Sequence, residues 1–176
     1  TVSDVSWTGA LGPYLIPVVE KGLLAQLTCN SSMCCDAAPP GGIDPRLSTN
    51  PVAFGFPTGE DPCIADFSST AVSMGKTKAW RQSGDKAPEP VYMDRDGRPT
   101  DDPNVVGDGG SILPVGGLRF GHKGYALALW CEAMAALAGG RCNNPDLPQR
   151  QAVALTVLDP AAFAGAKAYL AEMRRF

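Results

Sequence analysis

The sequence predicts an α/β fold in which helices cover a sheet that is at least partly parallel. Short apolar segments of strand length alternate along the chain with segments whose apolar residues recur at helical spacing. Glycine and proline, 20 and 16 of the 176 residues, separate these segments and show no collagen-like period. The length and a hydrophobic content of 44% fit a single domain over residues 1–176 with a substantial core.

The first predicted element is a helix over residues 9–22. Pro13 suits its first turn, its apolar residues recur at helical spacing, and Gly22 suits its end. An unbroken apolar run over 23–29 follows and predicts a strand that is buried beneath helices. The next predicted elements are a long polar loop, two strands and a helix, over 30–50, 51–56, 64–67 and 71–81.

The second half of the chain opens with an excursion over 83–111 that is rich in aspartate, proline and glycine. Residues 94–97 within it are typical of a tight turn between short extended pieces. A strongly apolar helix is predicted over 125–137, because Gly139 and Gly140 end its periodic pattern. A strand over 152–158 and a final amphipathic helix from Pro160 to about Arg174 complete the prediction.

Composition argues against several classes of protein. The net charge of −3, with no basic block, argues against a nucleic-acid-binding surface. The longest apolar runs are far shorter than the roughly 20 residues of a membrane span. Six cysteines without C-x-x-C spacing and one histidine make a metal site unexpected and favour reduced thiols in a cytoplasmic protein. Because the chain begins at Thr1, we expect a fragment or a processed chain.

The most informative motif is the stretch GGLRFGHKGYALAL over 116–129. The glycine fingerprints of classical dinucleotide folds, the P-loop and the G-x-S-x-G elbow are all missing from the sequence. Lys123, by contrast, stands at the start of an apolar helix, where an anion held by its ammonium and the N–H of Gly124 would be favourable. The alternative is a solvated lysine after a glycine turn. His122, the only histidine, is more often a structural residue than a ligand contact.

Polar residues also cluster at the predicted strand ends. Ser31 follows the strand at 23–29, and Thr49 and Asn50 precede the strand at 51–56. Ligands of α/β sheets gather at such ends, although Asn and Ser there also simply form turns. Asp66 ends another apolar strand and is expected either to contact a ligand or to cap a helix.

Several longer motifs together resemble the type 2 malate/L-lactate dehydrogenases. This family of NAD(P)-dependent oxidoreductases includes ureidoglycolate and sulfolactate dehydrogenases and the piperideine/pyrroline-2-carboxylate reductases. The matching motifs are STNPVAFGFP, IADFSSTAVSMGKTKAWRQSG, DGGSILPVGG, GHKGYALAL and TVLDPAAF, at 48–57, 64–84, 108–117, 121–129 and 156–163. The match covers the middle half of the family, so its N-terminal and C-terminal segments are absent from this chain.

The resemblance implies a three-layer fold, a mixed sheet covered by helices, with a cofactor site at a dimer interface that is not of the classical Rossmann type. It implies that NAD or NADP contacts six positions, which are Ser31, Asp66, Phe67, Ser68, Lys123 and Gly124. It implies that the site is also lined by Thr49, Asn50 and His122, and it suggests a further contact from Arg119 in an apparent insertion.

The expected activity is hydride transfer between a nicotinamide and a small 2-hydroxy or 2-oxo acid, or a cyclic imino acid. The catalytic residue is left unknown, because Trp7 stands where some members carry an acid–base histidine and the family's other histidine lies outside this chain. We therefore expect little turnover from the isolated chain. The alternative is a catalytically incomplete paralogue, or a subunit that completes the site of a companion chain. A homodimer is the other expected assembly.

Overall fold

A computed structural model describes residues 1–176 except 33, 145, 147 and 149. Helices and strands alternate along it, which confirms the α/β class. Strands β1 to β8 are Val2–Val5, Leu24–Ser31, Val52–Phe56, Cys63–Phe67, Tyr92–Met93, Pro99–Thr100, Ser111–Ile112 and Gln151–Leu158. Helices α1 to α5 are Gly12–Val19, Met74–Ser83, Gly117–Phe120, His122–Leu137 and Ala166–Arg175.

Five strands form the main sheet in the order β1-β8-β2-β3-β4. All of its described pairings are antiparallel, so the predicted parallel pairing, and with it the mixed sheet, is wrong. The cause is β8. The β1–α1–β2 segment brings β1 and β2 back in the same direction, but β8 inserts between them and runs opposite to both. The alternation of elements predicted the class correctly, but it carried no information about this insertion.

Helix α1 covers one side of the main sheet, which we call the α1 face. Leu15 and Val19 pack there against Leu27 of β2 and Ala53 of β3, in a cluster of fully buried apolar residues. A side chain at Gly55 would begin 2.7 Å from Val19 Cγ2 and 3.2 Å from Leu15 Cβ. The absence of a side chain at Gly55 therefore lets the helix lie close to β3.

Helix α4 covers the opposite side, the α4 face, and completes three layers. Because side chains alternate along β2, Thr28 and Asn30 point away from α1 and towards α4. Ala152 and Ala154 of β8 pair with these two positions and share the face. Its small residues allow α4 to approach, and its polar residues require hydrogen-bond partners within the interior.

The excursion over 83–111 contributes a second, three-stranded sheet in the order β6-β5-β7. The predicted turn at 94–97 is confirmed, because Asp94 Oδ1 accepts hydrogen bonds from the N–H groups of Asp96 and Arg98. The predicted final helix begins later than expected. Pro160 starts a separate 3₁₀ turn, and α5 begins only after Gly165, whose φ of 93° breaks the helical path.

Two global features bear on the sequence predictions. Among the described helices, each is too short or too polar to cross a lipid bilayer. All six cysteines are described, and no disulfide joins any two of them.

Candidate functional site

A cavity of about 640 Å³ opens on the α1 face, beyond the amino-terminal end of α1. Its wall combines the segment before α1, the carboxyl ends of β2 and β4, the loop before β3 and the first turns of α2. Because β3 runs antiparallel to both of its neighbours, its first residues lie beside the last residues of β2 and β4. The volume lies within the roughly 300–1,000 Å³ that is typical of small-ligand sites.

Five of the predicted site residues line this cavity. Ser31, Thr49, Asp66, Phe67 and Ser68 come from three neighbouring strand ends and meet in its wall. The strand-end argument had singled out Ser31, Thr49 and Asp66, which lie up to 35 positions apart, and the family resemblance had added Phe67 and Ser68. Their contact with a cofactor stays a prediction.

Trp7 also lines the cavity, although 64% of its surface is exposed. Its ring stacks against a cation, because the Lys78 ammonium lies 5.8 Å from the ring centroid. An indole offers one N–H donor and cannot exchange a proton near neutral pH. Trp7 therefore supplies shape and an aromatic surface to the site, and it supplies no acid or base.

Four other predicted residues lie elsewhere, at the α3–α4 corner. Arg119, His122 and Lys123 are exposed there, and the Lys123 ammonium lies 5.3 Å from the centroid of the Phe120 ring. The sequence analysis had offered the N–H of Gly124 as an anion donor. That N–H is already engaged, because it donates to the Val115 carbonyl at 3.1 Å.

Gly124 has a packing role that the sequence did not reveal. It is buried, and a side chain at this position would collide with the Ser69 carbonyl oxygen and the Val115 backbone nitrogen. The glycine therefore allows the first turn of α4 to lie against these two backbone segments. This requirement alone accounts for a glycine at this position.

Asp66 has a defined structural partner. Its Oδ2 accepts hydrogen bonds from the N–H groups of Leu11 at 2.7 Å and Gly12 at 2.8 Å. These groups open α1, so the carboxylate caps a helix that begins 54 residues earlier in the chain and complements its positive end. The cap predicted as the alternative role is present, on α1, a helix that the sequence analysis predicted but did not connect with Asp66.

Asn50 is fully buried and belongs to a hydrogen-bond network beneath the cavity. Its Nδ2 donates to Glu132 Oε1 at 2.8 Å, and Asn30 Nδ2 donates to Glu132 Oε2 at 3.0 Å. The backbone N–H of Asn143 donates to the same Oε2 at 2.7 Å. Three donors therefore satisfy the buried Glu132 carboxylate, which ties α4 to the end of β2 and to the loop before β3.

The network holds part of the cavity wall in place. Asn30 and Asn50 are the chain neighbours of Ser31 and Thr49, two residues that line the cavity. The backbone of Asn50 has a φ of 36°, an uncommon conformation for a residue other than glycine. Its fully buried, doubly bonded amide holds that conformation. Sequence reasoning missed Glu132, because nothing local links it to residues about 80 to 100 positions away.

Asp36 and Lys78 are two further wall residues that sequence reasoning did not single out. Burial raises the pKa of the Asp36 carboxyl to about 6, and the positive charge of Lys78 opposes part of that rise. Burial likewise raises the pKa of the Cys29 thiol to about 11, so that this wall thiol stays protonated at neutral pH. The cavity thus contains one carboxyl that titrates near neutrality.

The wall has the chemistry that a nicotinamide nucleotide needs. The buried Gln151 Oε1 is an acceptor without a hydrogen-bond partner in the described part of the chain. Carboxamide and ribose groups could donate to this atom, the rings of Trp7 and Phe67 offer stacking surfaces, and Lys78 offers a cation for phosphate. The residues present therefore fit such a group.

The described ranges bring together no group of three or more histidine, cysteine, aspartate or glutamate side chains that could hold a metal ion.

Comparison with known proteins agrees with this architecture. A reductase of Δ1-pyrroline-2-carboxylate and Δ1-piperideine-2-carboxylate from Pseudomonas putida is 40% identical over 74% of this chain and 37% of its own length. A malate dehydrogenase from Pyrococcus horikoshii is 35% identical over 75% of this chain and 37% of its own length. The crystal structure of a Sinorhizobium meliloti dehydrogenase covers 98% of this chain at 31% identity, with a TM-score of 0.80.

The chain covers 52% of the length of the Sinorhizobium dehydrogenase and 37% of the length of each of the other two relatives. It therefore spans about half of these proteins at most. The family model described as malate/L-lactate dehydrogenase nevertheless matches residues 1–176, the whole of the sequence. The fold of the solved dehydrogenase and this match over the full chain agree with the resemblance of the motifs. The chain therefore belongs to the malate/L-lactate dehydrogenase family.

Proposed function

We propose that this chain forms the cofactor-binding half of an NAD- or NADP-dependent oxidoreductase. Its substrate is a small 2-hydroxy or 2-oxo acid or a cyclic imino acid. The observation that carries the proposal is the convergence of Ser31, Thr49, Asp66, Phe67 and Ser68 on one cavity of suitable size. The family match and the names of the relatives, which are dehydrogenases and reductases, support it.

In this proposal a bound reduced nicotinamide supplies a hydride to the carbon beside the substrate carboxylate. The protein's own residues bind and orient the two molecules. The hydroxyls of Ser31, Thr49 and Ser68 offer hydrogen bonds, Phe67 packs on a ring, and Lys78 attracts an anionic group.

The residues at the α3–α4 corner enter the proposal differently. Arg119, His122 and Lys123 are exposed and lie outside the cavity wall. They would contact a ligand only if a further segment or a second chain held that ligand beside them. A homodimer, or a companion chain, is the assembly that would do so. We propose that the assembled protein works in the cytoplasm.

The test is oxidation of NADH or NADPH by the natural protein, with whatever further segments or partner chain accompany residues 1–176, and with pyruvate, oxaloacetate or Δ1-piperideine-2-carboxylate as substrate. Turnover of any of these acids is the expected result, and its absence with all six combinations would refute the oxidoreductase. Phe67→Ala should weaken nucleotide binding about tenfold by removing a stacking surface. The matched control is Phe163→Ala, which removes a 74% exposed ring outside the cavity wall and should leave affinity unchanged.

A second candidate function rests on Trp7, which occupies the cavity wall without any acid–base group. In that case the chain binds the nucleotide and completes the site of a companion chain, with no turnover of its own. Nucleotide binding by calorimetry together with zero turnover, restored when the companion is added, would select this alternative.

A further inference from the structure

We propose that the outward side of helix α4 binds a second copy of this chain, through antiparallel packing of the two α4 helices. The proposed function left the assembly open between a homodimer and a companion chain. This inference goes beyond that function, because it names both the surface and the partner, and it does not depend on the reaction.

The outward side of α4 is apolar and exposed along most of its length. Its exposed residues form a surface that we call the outer stripe, which consists of Ala126, Leu129, Trp130, Ala133, Ala136 and Leu137. Trp130 is 48% exposed and Leu137 is 72% exposed. Glu132 is the only charged residue between Gly124 and Leu137, and it is buried on the opposite side of the helix.

A helix that faces water carries charged residues on the side that points away from the core. Helix α5 follows this rule, because Lys167, Glu172 and Arg174 are all exposed on it. Helix α4 does not, and an apolar residue pattern on every side is typical of a helix that is covered all round. Exposed apolar surfaces of this kind mark the places where proteins dock. The outer stripe is therefore an interface.

The spacing of the outer stripe fits a copy of itself. Ala126, Leu129 and Ala133 follow the alternating three- and four-residue repeat with which two helices interlock. When two α4 helices cross antiparallel at the level of residues 129 and 130, Ala126 faces the partner's Ala133, because both lie equally far from the crossing point. Facing alanines allow the helix axes to approach closely, near the short end of the usual range of about 8–10 Å. Leu129 and Trp130 then each pack beside their own counterparts.

The charges at the two ends of α4 give a second, independent reason for a copy of this chain as the partner. Lys123 stands in the first turn of α4, where its charge opposes the partial positive charge of the helix's own amino end. The last turn of α4 contains no basic residue, although its partial negative charge favours one. In the antiparallel pair, Lys123 lies beside the last turn of the partner's α4. Each helix end thus receives from the other copy the charge that it lacks.

The interface extends beyond α4 itself. Stable pairs of proteins bury roughly 800 Å² on each partner, which is more than a single helical stripe provides. Leu118 and Phe120 of α3 are 58% and 53% exposed and stand directly before α4 in the chain, so they continue the apolar surface at its amino end. We expect the second copy to bury these two side chains as well.

The experiment measures self-association of the natural protein, with whatever further segments accompany residues 1–176, by sedimentation equilibrium. A dimer is expected. Trp130→Glu places a charge at the centre of the interface in both copies and should raise the dissociation constant of the dimer at least 100-fold. Lys123→Glu should raise it about tenfold, because an unfavourable contact with a helix end then occurs twice. Phe163→Glu, at a 74% exposed ring outside α4, is the matched control and should leave it unchanged.

Disulfide cross-linking tests the antiparallel arrangement and also serves if Trp130→Glu misfolds. Leu129→Cys lies near the crossing point and should link to its own counterpart on mild oxidation, with the linked peptide identified by mass spectrometry. Leu137→Cys should not link, because at a rise of 1.5 Å per residue it lies about 22 Å from its counterpart. The wild type, with its exposed thiols of Cys63 and Cys142, gives the background of other links.

A dimer that Trp130→Glu dissociates and that Leu129→Cys links supports the proposal. A dimer that keeps its affinity in Trp130→Glu and forms no link at Leu129→Cys is held through another surface and overturns it. Links at both Leu129→Cys and Leu137→Cys would mean parallel helices and overturn the arrangement. A monomeric wild type overturns the second copy as the partner, and quenching of its tryptophan fluorescence, compared with Trp130→Phe, then shows whether another segment covers the stripe. The turnover test of the oxidoreductase is independent of all these outcomes.

Discussion

The two faces of the main sheet are built on opposite principles. On the α1 face, apolar side chains of α1, β2 and β3 pack without any buried charge, as in the cluster around Leu15 and Leu27. On the α4 face, the buried Glu132 carboxylate is held by Asn30, Asn50 and Asn143. The apolar face gains stability from many interchangeable contacts, whereas the polar face depends on a few bonds that must all be made at once.

Among substitutions on the two faces, we expect the largest loss of stability at Glu132. Glu132→Ala removes the acceptor of three N–H donors, those of the buried Asn30 and Asn50 and of the half-buried Asn143, and should destabilise the protein by about 3–5 kcal/mol. Urea unfolding measures this loss. The control is Glu172→Ala, which breaks a surface pair with Arg175 and should cost less than about 1 kcal/mol. Equal losses of unfolding free energy in the two variants would mean that the Glu132 network stabilises the protein no more than a surface ion pair does.

The apolar face should respond by graded cavity formation. Leu15→Ala removes a fully buried side chain from the α1 face and should cost about 2–4 kcal/mol of unfolding free energy. Ile16→Ala changes the next residue of the same helix, whose side chain is 42% exposed, and should cost well under half as much. Chemical denaturation of both variants tests whether α1 is held chiefly by its buried stripe. Similar losses would argue that helix propensity matters more.

This contrast also explains what the sequence could and could not reveal. The α1 face was predictable, because the helical spacing of its apolar residues and the apolar run of β2 are local signals. The Glu132 network was not, since its bonds join residues that lie 102 and 82 positions apart. The antiparallel order was hidden for the same reason, because β8 enters the sheet from the far end of the chain.

The candidate site divides in the same way. Strand ends are local signals, and they led to Ser31, Thr49 and Asp66, which meet at the cavity. The Lys123 motif was also local, but its glycine serves backbone packing and its lysine is exposed outside the wall. Asp36 lies in a loop of turn-forming residues, and no local pattern distinguishes it there. Its place in the cavity wall is evident only from the folded chain.

Overpacking gives a further test of the apolar face. Gly55→Ala places a methyl group 2.7 Å from Val19 Cγ2, so the helix must shift, and the variant should lose about 1–3 kcal/mol. Gly75→Ala, within α2, meets nothing closer than 3.8 Å and should gain up to about 1 kcal/mol from helix propensity. Thermal unfolding of the pair should shift in opposite directions. A neutral Gly55→Ala would show that α1 has room to move.

The smallest expected effect lies at Asp36, where the cavity interrupts the apolar face. Since the folded-state pKa of about 6 lies above the ordinary value of 3.8, the folded protein binds this proton more tightly than the unfolded chain does. The cost of the buried charge is therefore fully present above about pH 6, and it disappears as the pH falls towards 4.

Asp36→Asn cannot carry that charge. It should stabilise the protein by about 1–2 kcal/mol at pH 7, after allowance for partial exposure, and by almost nothing at pH 4. The measurement is urea unfolding of both proteins across this range, with Asp44→Asn as a flat control. A gain that stays constant with pH would show that Asp36 does not titrate within it. A gain that grows with pH would place on the α1 face one buried charge that the fold retains at a cost to stability.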